Sequence, residues 1–190
     1  NAYLSEHKDG LPQQLFLAEW LLAQPLKFFN ININTGHLIY NFLLSAIAFL
    51  LTYLALFLIS KSRFWSVIFS VFLFFGLYLL AFIRPISPQF NFIFWLTQFI
   101  FLWLLITEQK QKWLWFSVIN FGLLFYIYPY YWTFYFIFFA VFIALNFINS
   151  KYFHYFLPAG DLPKGDNYGS KKILWVAGGG LILAIPYFYF

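Results

Sequence analysis

Six apolar runs, each near the length of a membrane crossing, divide this chain at charges, prolines and asparagines. They are Leu38 to Ile59, Phe64 to Ile83, Phe90 to Thr107, Trp113 to Tyr128, Tyr131 to Phe147 and Ile173 to Phe190. A helix needs about 20 apolar residues to cross a hydrocarbon core roughly 30 Å thick, so the runs predict an all-α membrane protein, a polytopic bundle of transmembrane helices. A membrane barrel would alternate apolar and polar residues over strands of about ten positions; these runs are apolar on every face, which argues against one. Composition agrees. Only 9% of the residues are charged, with 63% hydrophobic and 27% aromatic, whereas soluble domains carry about 25% charge. Too little polar surface remains for a soluble enzyme, a nucleic-acid binder or a disordered tail. Without cysteine the chain has no disulfide or thiolate, and a metal would need His, Asp, Glu or carbonyl ligands.

Charge placement suggests an orientation. Assigning alternate loops to alternate sides puts Lys61, Arg63, Lys110, Lys112, Lys151, Lys164, Lys171 and Lys172 on one face and Lys8, Lys27 and Arg84 on the other. By the positive-inside rule the first face is cytoplasmic. The outer face then carries residues 1 to 37, the Arg84 to Gln89 turn and the Tyr128 to Trp132 turn. Acids divide evenly, with Glu6, Asp9 and Glu19 outside and Glu108, Asp161 and Asp166 inside, as expected of residues that contribute little to the rule. The setting implied is a bacterial or archaeal plasma membrane, with membrane lipid as an obligatory partner.

Residues 1–37 form a separate outer segment before the bundle of residues 38–190. Leu15, Phe16, Leu17, Trp20, Leu21 and Leu22 recur at near-helical spacing up to Pro25, which fits an outer-face amphipathic helix on the membrane surface or a short helix packed on the bundle. Asn30, Asn32, Asn34 and Gly36 make a turn-rich link, and Thr35 is the expected N-cap of the first span. Leu157 to Ser170 is expected to be a flexible connector. Asn41, Gln98, Asn120 and Asn146 lie within spans, where hydrogen bonds between helices are the expected use. The chain opens at Asn1 without an initiator Met and closes at Phe190 inside an apolar run, so it reads as a fragment whose last span is cut.

Three outer-face clusters carry potential chemistry. Glu6, His7, Lys8 and Asp9 place two acids, an imidazole and an amine before a Gly10 and Pro12 turn; such a set can position a base or bind a divalent ion through Glu6 and Asp9, or can be an ordinary solvated loop. Arg84 precedes Pro85, Ser87, Pro88, Gln89 and Asn91. Its guanidinium suits phosphate oxygens or snorkels to headgroups, while the Gln89 and Asn91 amides are expected to face the same space. Tyr126, Tyr128, Tyr130, Tyr131 and Trp132 surround Pro129, where they can stack on a sugar or form an interfacial aromatic belt.

In chain order these stretches, AYLSEHKDGLPQQL, RPISPQFNFIFWL and GLLFYIYPYYWTF, resemble the multi-spanning glycosyltransferases of the C-type superfamily. The resemblance covers about the first 150 residues. It implies a bundle of many transmembrane helices with its active site in outer loops. The implied reaction moves a sugar from a polyprenyl-phosphate donor to a glycan, lipid or protein acceptor, with inversion. It further implies that Glu6, His7 and Asp9 match the later part of the first outer loop, with an acid as base or acceptor guide, and that a divalent cation such as Mg or Mn sometimes assists. Arg84 and Lys8 would hold the donor phosphate, with Gln89, Asn91, Tyr128, Tyr130, Tyr131 and Trp132 around the substrate. The family's principal acid would lie upstream of Asn1, and a second acid is absent where this chain has Ser87, Pro88 and Gln89. A transporter or flippase subunit for a lipid-linked substrate is the alternative; transporters gather ionisable groups near the midplane, whereas here they lie at segment ends.

Overall fold

Helix ends in this protein are set by residues that satisfy or forgo backbone hydrogen bonds. The computed structural model describes residues 16–75, 87–127, 129–148 and 168–189. Among the described residues it is all-helical, with seven helices: α1 (Phe16–Phe28), α2 (Ile33–Ser60), α3 (Arg63–Leu73), α4 (Ser87–Glu108), α5 (Gln111–Ile127), α6 (Pro129–Ile148) and α7 (Tyr168–Tyr189). The described part of each expected apolar run is helical, and residues 76–83 of the Phe64 to Ile83 run lie outside the described residues. Two helical stretches, Ile33–Ser60 and Gln89–Glu108, are long and apolar enough to cross a membrane.

Several boundaries differ from expectation. α1 continues through Pro25 for another turn, since a proline forfeits one backbone bond but its carbonyl still accepts, here from Phe29 N at 3.0 Å. The helix then closes on Asn30, at φ 55°. Asn30 N bonds Lys27 O at 3.3 Å and Ile31 N bonds Leu26 O at 2.9 Å, the paired bonds of a Schellman ending. Asn32, not Thr35, caps α2: its side chain accepts from Asn34 N at 3.0 Å, so the helix starts five residues before Leu38. Ser87, Pro88 and Gln89, expected in the Arg84 to Gln89 turn, belong to α4. A proline in the first turn gives up an N–H that would have had no intrahelical partner. Pro129 opens α6 in the same way. α7 begins at Tyr168, so residues 168–170 of the expected connector are helical.

The chain divides into two compact units, Asn1–Ile100 with Tyr126–Tyr128 and Phe101–Phe125 with Pro129–Phe190. In the first, α1 packs on the start of α2. Ala18 is buried and Leu22 and Leu26 are half-buried, a stripe at i, i+4, i+8. Tyr40 Oη donates to Leu22 O at 2.7 Å, and Gly36 lies so close to Leu26 that a Cβ would overlap it. Trp20, Leu21 and Phe28 stay exposed beside Gln24 and Lys27. The inward stripe of α1 is thus 18, 22 and 26, and its outward side mixes apolar and polar groups.

The α2–α3 pair is inverted relative to a water-soluble helix pair. α2 buries Leu44, Ala48, Thr52 and Ala55, and α3 buries Ser66 and Ser70. The buried hydroxyls bond back along their own helices, Thr52 to Ala48 O at 2.8 Å, Ser66 to Ser62 O and Ser70 to Ser66 O both at 2.6 Å. This offsets the cost of burying them. Ser60 Oγ and Ser66 Oγ also share a bond of 2.9 Å, and Phe49 meets Phe74 edge to face at 5.6 Å. Meanwhile the bulky residues of α3 point away, with Phe64 68% and Phe72 71% exposed and Trp65, Val67, Ile68, Phe69 and Val71 also exposed.

In the second unit, glycines set how closely α5 and α7 approach. A Cβ on Gly179 would lie 2.9 Å from Val118 Cγ1, and one on Gly122 would lie 2.8 Å from Leu183 Cβ. Both pairings advance in the same chain direction, so the two helices run parallel. Gly180 accommodates the ring of Phe121. Phe121 is fully buried and meets Phe125, Phe136 and Phe139 edge to face at 5.5, 5.3 and 5.2 Å, pairings that add about 0.5–1.5 kcal/mol each beyond burial.

Gly122→Ala should destabilise the protein by about 1–3 kcal/mol, the usual cost of overpacking, because a Leu Cβ fixed to its backbone cannot swing aside. Gly178 has open space where a Cβ would go, so Gly178→Ala should be neutral or stabilise by up to about 1 kcal/mol. Unfolding measured in detergent for both variants checks the opposite signs.

Candidate functional site

The described part of the candidate site begins with neutral amides. Gln89, in the first turn of α4, is fully buried, and its Nε2 donates to Asn41 Oδ1 on α2 at 2.6 Å. A buried amide without a partner would cost about 1–3 kcal/mol, so the bond fastens the N-terminal turn of α4 to α2. Asn91 is also buried, and its Oδ1 has no hydrogen-bond partner among the described residues. The two amides do not share one space. At two residues apart in a helix they lie about 200° apart around the axis, which corrects the expectation that they converge. That expectation treated the segment as a turn, whereas both positions are helical.

Tyr131 and Trp132 belong to the second unit, in the first turn of α6, and both are half-buried. Trp132 stacks on Phe125 with centroids 4.9 Å apart and planes 9° from parallel, and meets Phe136 edge to face at 5.8 Å. Its Nε1 is buried and has no acceptor among the described residues. One indole face is therefore committed to Phe125.

Glu6, His7, Lys8, Asp9, Arg84 and Tyr128 lie outside the described residues, as does the side chain of Tyr130. Among the described residues, no group of three or more His, Cys, Asp and Glu could hold a metal ion; the expected ligands Glu6 and Asp9 are not among them. His37 is exposed near the start of α2.

Asn41, expected to hydrogen-bond between helices, does so, accepting from Gln89; the sequence has several amides within apolar spans and nothing in it selects Gln89 as the partner. No family model matches this chain, and neither does any curated protein or solved structure.

A double-mutant cycle with Gln89→Leu and Asn41→Leu should give a favourable coupling of about 0.6 kcal/mol and no more than about 1.7 kcal/mol, the range for side-chain bonds between membrane helices. Additive effects on unfolding would show that the bond contributes nothing.

Proposed function

We propose that this chain is part of an integral membrane glycosyltransferase that takes a sugar from a polyprenyl-phosphate carrier at the outer face of a bacterial or archaeal plasma membrane. α3 carries the membrane half of the proposal. A helix in water buries its apolar side; α3 buries Ser66 and Ser70 and exposes Phe64, Trp65, Phe69 and Phe72. Lipid favours that inversion, because hydrocarbon removes the drive to hide apolar surface and small residues allow close helix contact. On this basis the six apolar segments cross as a polytopic bundle, with the lysine-rich turns inside.

Sugar transfer is supported by the three sequence stretches that resemble C-type glycosyltransferases. In the proposed step the acceptor hydroxyl oxygen attacks the anomeric carbon and the bond from that carbon to the carrier phosphate oxygen breaks. The phosphate leaves with the electron pair, and the hydroxyl proton passes to a carboxylate, for which Glu6 and Asp9 are the candidates. Arg84 would offset charge growing on the leaving phosphate, assisted by Lys8. Trp132, Tyr131, Tyr130 and Tyr128 would offer rings to the sugar. Gln89 secures the helix that follows Arg84 rather than contacting sugar directly.

In the intact protein, Glu6→Gln and Arg84→Ala should each abolish sugar transfer, with expression and folding near normal; retained transfer in both variants would remove these residues from the site. Orientation has its own check. Ser87→Cys should react with an impermeant thiol reagent added outside cells and Gln111→Cys should not, and the reverse pattern would invert the topology.

A further inference from the structure

The turn between α4 and α5 gathers charge that sugar transfer does not use. α4 ends at Glu108, and Gln109 follows in a left-handed conformation, φ 57°. The Gln109 carbonyl accepts from Lys172 Nζ at 2.8 Å, so the first turns of α7 are tied to this turn. Lys172 is buried by that contact, while its neighbour Lys171 is exposed. The carboxylate of Glu108 is engaged twice. Its Oε2 lies 2.9 Å from Lys110 Nζ and accepts from Trp113 Nε1, also at 2.9 Å. Lys112 is exposed and holds its ammonium 4.5 Å from the centre of the Trp113 ring. Four lysines against one glutamate leave three net positive charges, and the glutamate is already neutralised.

Indoles flank the cluster, with Trp115 60% and Trp175 70% exposed. Exposed indoles settle at the headgroup level of a bilayer, where their apolar rings and polar N–H are both satisfied. Ammonium groups at that depth meet lipid phosphates. An acidic peptide would need the lysines to stand clear of the bilayer, and the indoles on either side oppose that.

We propose that the α4–α5 turn and the start of α7 hold the phosphate headgroup of an anionic phospholipid, with Lys112 and Lys171 as its ligands. Lys172 is a positioning residue, keeping α7 against Gln109. The assignment rests on the membrane embedding proposed above. It gives the lysine-rich turn a specific occupant in addition to a role in orientation.

The test uses the full chain, stripped of lipid in detergent and reconstituted in nanodiscs of equal parts phosphatidylcholine and phosphatidylglycerol, with the lipid retained on re-extraction read by native mass spectrometry. Phosphatidylglycerol should be retained preferentially, and the double variant Lys112→Gln with Lys171→Gln should lower that preference about thirtyfold. Lys27→Gln, which removes an exposed lysine outside the cluster, should leave it unchanged. Both variants change exposed side chains, so folding is preserved. Incorporation without any headgroup preference, or an equal loss in Lys27→Gln, overturns the proposal while leaving the membrane embedding intact. Failure to incorporate in either lipid overturns the embedding, and the proposal with it. Binding of inorganic phosphate in lipid-free detergent with the same dependence on Lys112 and Lys171 would assign the cluster to a soluble anion and overturn the lipid.

Discussion

Close contact through small side chains is the interaction on which both units depend. Where nearly every residue of a helix is apolar, hydrophobicity cannot choose which face turns inward, because all faces gain alike. Steric fit makes that choice. Ala48, Thr52 and Ala55 on α2 and Ser66 and Ser70 on α3 leave room for backbones to approach, and Gly122, Gly179 and Gly180 do the same between α5 and α7. Dispersion grows steeply as atoms reach contact distance, so a surface of small residues gains more from another helix than from loosely ordered neighbours.

Polar groups follow from the same constraint. Thr52, Ser66 and Ser70 can be buried at these contacts because each hydroxyl reaches a carbonyl one turn back, as the half-buried Thr97 does to Ile93 O at 2.7 Å and Thr107 to Trp103 O at 2.9 Å. An amide is too large for that and must find a second helix, as Gln89 finds Asn41. Lysines need either water or a carbonyl left open at a helix end, and Lys172 takes the carbonyl of Gln109. Side-chain size and reach thus separate these residues: Thr52, Ser66 and Ser70 within contacts, Gln89 and Asn41 between helices, and Lys172 at a turn.

The second unit adds a layer of rings around this frame. Phe121 lies against Gly180 on one side and among Phe125, Phe136 and Phe139 on others. Trp132 extends the cluster by stacking on Phe125. Trp132 is thus a packed residue, with one indole face against Phe125 and an edge against Phe136.

Where helices form is legible in the sequence, because runs of about 20 residues, apolar on every face and bounded by lysine, proline and asparagine, are too long and too uniform for strands. The sequence also marked Asn30 as a turn residue, since asparagine tolerates the left-handed conformation that closes α1. Helix starts were harder to read. Thr35 is the cap the sequence suggests and Asn32 the one the backbone uses, and Pro88, expected in a turn, lies in the first turn of α4. Tertiary structure alone decided which faces met, which amide paired with Gln89 and which lysine reached Gln109. Those choices join residues 48 and 63 positions apart in the chain, and no local periodicity carries such a pairing. It depends on how side chains of given size and reach fit once the helices lie side by side.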